Sequence, residues 1–193
     1  GTRPAGMAPY AFHDMGDVKI GVIGMTAFMP DVYRIYNAKM LPVGEIIPPM
    51  IDELQSSGVS LIILLSHMGL NMDRNLAETI SGIHVIIGGH THDRVSPPMR
   101  VKDTLIVQAG EYGQVLGRLD LQLNDRSGRI VNYSHALIPV DESIREDERV
   151  LKEIEAQKTL AQKLLQEEIG EIRVPVTLSV TEQCSAGNLL ADA

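Results

Sequence analysis

The sequence lacks the features that mark disulfide-bonded, membrane-spanning or nucleic-acid-binding proteins. Cys184 is the one cysteine among 193 residues, so no intrachain disulfide can form. No apolar run reaches the length of a membrane span, and no signal-peptide pattern opens the chain. The net charge of −8 argues against binding to a nucleic-acid polymer. An acidic protein that acts on an anionic substrate needs local positive charge, which a bound metal ion can supply.

The composition is that of a folded protein, with 44% hydrophobic and 22% charged residues. The length is enough for one domain, or for one domain and part of another. The chain opens with GTRPAGMAPYAF and closes with SAGNLLADA, and both ends look cut. We therefore expect this chain to be the middle of a longer protein.

The first half of the chain alternates strand patterns with helix patterns. The predicted elements are a strand at 18–25, a helix at 44–58, a strand at 59–66, a helix at 71–82 and a strand at 83–89. We place the pair Pro48-Pro49 in the first turn of its helix and treat 26–44 as irregular. Such alternation predicts α/β layers with a parallel sheet.

The second half changes pattern. Residues 103–140 alternate apolar and polar positions, which predicts consecutive antiparallel strands with a hairpin near 124–128. Residues 145–170 are rich in helix formers and end at a glycine, so they form either a packed helix or a bridge between two domains. A last strand is predicted at 171–180, followed by a short helix near Asn188.

Histidines follow two of the predicted strands. His67 comes after 59–66, and the pair His90 and His92 comes after 83–89. Strands that flank one helix lie parallel, and functional groups gather where such strands end. Gly88-Gly89 lets the backbone turn sharply before the pair. Since imidazole is a common zinc ligand, the three histidines predict a metal site.

A plainer interpretation is that these histidines only form hydrogen bonds. In that case His90→Ala would change stability without altering metal content. His13, His84 and His135 lack the strand-end position, and we expect them to be structural. Asp93 follows His92 directly, and it is either a group that orients a ligand or a helix cap.

Four stretches carry a family resemblance, namely VKIGVIGMT, IILLSHMGLNMDRNLAETISGIHVIIGGHTHD, VQAGEYGQVLGRLDL and CSAGNLLADA. Together they resemble the 5′-nucleotidase family, whose catalytic domain is a calcineurin-like metallophosphoesterase. The resemblance implies part of an α/β sandwich, then a linker helix and the first elements of a C-terminal domain. The corresponding ranges are 1–143, 144–170 and 171–193.

The resemblance also implies a site and a reaction. Two divalent ions, zinc, manganese or similar, would be bound, one by His67 and His90 and the other by His92. The substrate would be a nucleotide or another small phosphoester. Family members are commonly periplasmic, extracellular or attached to the cell surface.

The chain departs from the family pattern in its metal motifs. The family's Asp-X-His and Gly-Asn-His motifs are absent, and Gly16-Asp17 lies at a turn where the family's ligand aspartate would not be. Gln183 and Ser185 replace the glutamate and asparagine that are common in the last motif. We therefore assign no catalytic residue and expect the chain alone to be inactive. The missing motifs were lost, were cut off or belong to a second chain.

Three other functions stay open on the same scaffold. They are a 2′,3′-cyclic nucleotide phosphodiesterase, a nucleotide-sugar hydrolase and the related thiosulfohydrolase. A non-catalytic binding or scaffold relative is a fourth alternative. An intact Asp-X-His in the upstream coding sequence would exclude that last alternative.

Overall fold

The computed structural model describes residues 6–124, 128–166, 168, 170–179 and 181–192. The chain divides into two compact units, Gly1–Ile144 and Arg145–Ala193. The first unit contains the sheets and the predicted metal-site histidines. Within the described residues, none of the helices is long and apolar enough to cross a bilayer.

Eight strands and three helices form the described part of the first unit. The strands are β1 (Ala11–Asp14), β2 (Lys19–Met25), β3 (Leu61–Ser66), β4 (Val85–Ile87), β5 (Met99–Val101), β6 (Thr104–Val107), β7 (Val115–Leu123) and β8 (Ile130–Pro139). The helices are α1 (Pro30–Ile35), α2 (Val43–Ser56) and α3 (Leu70–Thr79). One sheet has the order β1-β2-β3-β4-β6-β5, and β7 and β8 form a second, two-stranded sheet.

The larger sheet has a parallel centre and antiparallel edges. Strands β2, β3, β4 and β6 run parallel, whereas β1 and β5 pair antiparallel with their neighbours. The apolar run of β3 explains its central place, because Ile62 and Leu64 are fully buried. They join the core cluster that Leu54 of α2 and Leu76 of α3 also enter. The predicted α/β architecture is confirmed.

Two expectations for the region between β2 and β3 were wrong. The segment taken as irregular contains α1, whose start carries Pro30 in the first turn together with Asp31, both good helix-start residues. Helix α2 begins at Val43, so Pro48 and Pro49 lie inside it and not in its first turn. Proline has no N–H to donate, so α2 forgoes two backbone hydrogen bonds and relies on the burial of its apolar face.

The strands after the histidines are not all antiparallel, as the alternating pattern had suggested. Strand β6 is buried along its whole length and pairs parallel with β4 in the larger sheet. A fully buried strand carries no alternation to reveal its place. The β7–β8 hairpin does form, and Asn124 donates its N–H to the Arg129 carbonyl at 2.8 Å. Residues 125–127 of the predicted turn lie outside the described residues.

The second unit contains helix α4 (Glu148–Leu165) and helix α5 (Ser185–Asp192). The Asp147 carboxylate caps α4 by accepting hydrogen bonds from the N–H groups of Arg149 and Val150. The strand predicted at 171–180 is absent from residues 171–179, which have no partner strand among the described residues. Helix α5 starts at Ser185, earlier than predicted, and the Ser185 hydroxyl accepts a hydrogen bond from the Thr177 N–H.

His84 has the structural role that its position suggested. Its N–H donates to the Ile62 carbonyl, and its Nδ1 accepts from the Ile62 N–H, both at 3.0 Å. The imidazole therefore takes the place of a carbonyl at the start of the β3–β4 ladder. Burial lowers the pKa of His84 below its ordinary value of 6.5, because the charged ring is poorly solvated there.

We predict that His84 makes stability fall at acidic pH. Since its folded pKa is lowered, its contribution is present above the unfolded value of 6.5 and is lost as the pH falls through the folded pKa. In urea unfolding, His84→Leu should lower the unfolding free energy at pH 8 by roughly 1–3 kcal/mol, because the Ile62 N–H loses its acceptor. The variant should also show a flatter decline below pH 6.5. His13→Leu, at an exposed histidine in β1, serves as control, and equal pH slopes for wild type and His84→Leu would contradict the prediction.

Candidate metal centre

The parallel pairing of β3 and β4 fixes where the first histidine lies. Leu65 pairs with Ile87, so His67 and Gly89 follow at the same edge of the sheet. The His67 N–H donates to the Met25 carbonyl of β2 at 3.0 Å, which ties it to a third strand end. A Cβ added to Gly89 would lie 3.1 Å from His67 Nδ1, so a glycine leaves room for the ring.

The structure brings His67 and His90 together. Their ring centroids are 5.1 Å apart, with the planes at 66°, an edge-on contact. Both side chains are exposed, so a ligand can reach them. His90 has a φ of +76° and His92 a φ of +59°, a conformation uncommon for residues other than glycine. These left-handed residues turn the chain sharply after β4.

His92 has different partners. Its Nδ1 lies 2.5 Å from Glu111 Oε2, and its ring centroid is 5.6 Å from that of Tyr112. The site thus contains one histidine pair and one histidine–carboxylate pair. Across the part of the chain that the structure describes, no group of three His, Cys, Asp or Glu side chains is placed to hold a metal ion.

Thr91, between the two histidines, links their loop to α3. Its hydroxyl accepts a hydrogen bond from the Leu70 N–H at 3.2 Å and donates to Asp93 Oδ2 at 2.5 Å. Leu70 is the first residue of α3, so Thr91 caps the helix and Asp93 orients the Thr91 hydroxyl. Asp93 therefore contributes to the cap of α3 indirectly, by holding the Thr91 hydroxyl in position.

The buried carboxyl of Asp73 lies beneath both histidine-bearing strand ends. Its Oδ1 accepts a hydrogen bond from Ser66 Oγ at 2.5 Å, and Ser66 directly precedes His67. Its Oδ2 has no hydrogen-bond partner among the described residues, and a Cβ on Gly88 would come within 2.5 Å of it. Burial raises the pKa of Asp73, and the bond from Ser66 opposes that shift.

The sequence reasoning missed Asp73, although a signal was present. The residue lies on the apolar stripe of α3, three and four positions before the buried Leu76 and Ala77. A carboxylate in such a stripe must find a partner inside the fold. The strand-end Ser66 is that partner.

Comparison with known proteins identifies the family. No protein-family model matches the sequence. A venom 5′-nucleotidase of Naja atra is 31% identical over 96% of this chain and 39% of its own length. The solved structure of a 5′-nucleotidase precursor from Thermus thermophilus is 30% identical, with a TM-score of 0.72 over 95% of this chain and 41% of that one. The chain belongs to the 5′-nucleotidase family.

The same comparisons bear on the fold and on the extent of the chain. The α/β fold is that of the 5′-nucleotidases and their metallophosphoesterase relatives, as the LSHMG and GGHTHD motifs predicted. A trifunctional nucleotide phosphoesterase of Bacillus subtilis, YfkN, is 28% identical over 98% of this chain. The chain spans 14% of that relative and 39% of the Naja atra protein. In length it corresponds to part of a 5′-nucleotidase.

We predict that Gly88→Ala destabilises this family member through Asp73. The added Cβ would meet Asp73 Oδ2 at 2.5 Å, and overpacking of this kind costs roughly 1–3 kcal/mol. In urea unfolding, the cost should shrink when Asp73 is also changed to Ala, because the clash is then removed. Gly24→Ala is the matched control, since nothing lies within 4 Å of a Cβ there. Equal costs at the two glycines would refute this packing account.

Proposed function

We propose that the protein takes part in metal-dependent hydrolysis of nucleotides, with His67 and His90 binding one divalent ion and His92 the other. The observation that carries the proposal is the edge-on contact of the His67 and His90 rings, 5.1 Å apart at the ends of two parallel strands. Family membership supports the reaction class, since the relatives are named as 5′-nucleotidases and nucleotide phosphoesterases.

The residues present fit part of a metal centre. Imidazole nitrogens suit zinc and similar transition-metal ions, and Gly89 leaves space beside His67. A catalytic zinc site commonly has three protein ligands, and here two rings converge. When bound, a divalent ion would act as a Lewis acid on the phosphoryl group. The chain's own contribution is to hold His67 and His90 at an exposed edge of the sheet. The hydrogen bond from Ser66 to Asp73 fixes the end of β3, directly before His67.

The 193 residues alone are proposed to be inactive. The described residues offer no third ligand near the histidine pair, and a complete centre would need ligands such as those of the family's Asp-X-His motif. A second chain carrying those motifs is one source for them. The spans of 39% and 41% of the matched proteins are consistent with ligands lying elsewhere.

The remaining assignments are proposals of the same kind. Residues 1–143 would belong to the metallophosphoesterase domain, 144–170 to a linker helix that α4 largely fills, and 171–193 to the start of a C-terminal domain. An exported or surface location is proposed because the Naja atra relative is a venom protein.

We predict that this chain binds zinc through His90 but does not release phosphate. With added Mn²⁺ or Zn²⁺, phosphate release from 5′-AMP should equal the protein-free rate for both wild type and His90→Ala. Zn²⁺ binding measured by calorimetry should be present in the wild type and strongly weakened in the variant.

Three results would contradict parts of this account. Absence of Zn²⁺ binding in the wild type would refute the metal site. Phosphate release by the wild type that disappears in His90→Ala would refute the proposed inactivity. It would at the same time support His90 as a metal ligand. Release that persists in His90→Ala would refute the proposed inactivity and would show that the reaction does not need His90 as a metal ligand. His135→Ala, a histidine in strand β8, is the control for general effects of removing an imidazole.

A further inference from the structure

The chain places Glu111 opposite His92 by backbone pairing. Arg94 and Ala109 form an antiparallel bridge. The Gly110 N–H donates to the Asp93 carbonyl and the Val95 N–H donates to the Gln108 carbonyl, both at 2.9 Å. Extending this register brings His92 face to face with Glu111, and such cross-strand neighbours contact one another.

Hydrogen bonds hold both segments of this pair in place. Gln108 is only 2% exposed, and in the amide orientation that its surroundings require, its oxygen accepts from the His92 and Asp93 N–H groups at 3.0 Å each. On the other segment, the Gln114 N–H donates to the Glu111 carbonyl at 3.1 Å, closing a turn. Arg94 Nη2 donates to Gln114 Oε1 at 2.8 Å. The pair is therefore preset by the fold.

The contact between the side chains determines which nitrogen of His92 is free. Nδ1 lies 2.5 Å from Glu111 Oε2, and a carboxylate can only accept, so Nδ1 carries the proton. The lone pair of the neutral ring is then on Nε2. The His92 side chain is 49% exposed, so the ring can be reached from solvent, and Tyr112 packs against the ring.

We propose that Glu111 is a positioning residue that holds His92 in its Nδ1–H tautomer and thereby presents Nε2 as a ligand nitrogen to a divalent ion. A histidine that binds a metal through one ring nitrogen can donate the N–H of its other ring nitrogen to a carboxylate. That carboxylate fixes the orientation of the ring and increases its basicity. The tautomer follows from the described contacts alone. The ligand role rests on the function proposed above.

The experiment measures the tautomer directly in the metal-free 193-residue chain. At pH 8, ¹⁵N NMR of the histidine rings should show His92 protonated at Nδ1 in the wild type. Glu111→Ala should shift it toward the Nε2–H form, which free imidazole side chains favour. Glu111→Gln keeps an acceptor oxygen and should give an intermediate result. Glu142→Ala removes an exposed carboxylate from the same unit and should change nothing.

Zinc affinity provides the second readout. The measurement uses the His67→Ala/His90→Ala double variant as background, so that only the ion assigned to His92 is observed. In that background Glu111→Ala should weaken Zn²⁺ binding roughly 10–100-fold, as loss of such partners does at other metal sites, and Glu111→Gln should restore part of it. His92 remaining in its Nδ1–H form in Glu111→Ala would overturn the proposal. It would also be overturned if, in the same background, Glu111→Ala left the Zn²⁺ affinity unchanged while His92→Ala abolished it.

Failure of the proposed function would give a different result. His67→Ala, His90→Ala and His92→Ala would then all bind Zn²⁺ as the wild type does. That outcome would overturn the ligand role of His92, whatever the tautomer measurement shows. The two sets of variants therefore separate an error about Glu111 from an error about the metal site.

Discussion

The candidate site depends on the parallel hydrogen-bonded pairing of β3 with β4. Because the two strands end at the same edge in register, His67 and the loop that carries His90 meet there. Helix α3 connects the strands, and its Asp73 lies buried beneath both ends, bonded to Ser66 and in contact with Gly88. The sheet thus sets the position of the rings, and the helix braces the loops that carry them.

The sequence His-Thr-His divides its two imidazoles between different partners. Left-handed backbone at His90 and His92 turns the chain at both positions, so one ring contacts His67 and the other contacts Glu111. Thr91 between them anchors the loop to the first N–H of α3. This separation agrees with the proposal that the two histidines serve different ions, since neighbouring ligands of one ion would have to converge.

Much of this arrangement could be predicted from the sequence, and the remainder has identifiable reasons. Continuous apolar runs on either side of a helix were enough to place His67 and His90 at one sheet edge. The place of β6 was not predictable, because a short buried strand carries no alternation. Asp73 and Glu111 were missed because their roles depend on contacts between segments distant in the chain, with Ser66 and His92 respectively.

The most direct test of the central claim is the cooperation of His67 and His90 in binding zinc. Zn²⁺ affinity should be measured by calorimetry for wild type, His67→Ala, His90→Ala and the double variant, with His13→Ala as control. If the two rings share one ion, each single change should cost about tenfold or more in affinity, and the double variant should lose little beyond that. Wild-type affinity in both single variants, or effects that simply add, would contradict the shared site.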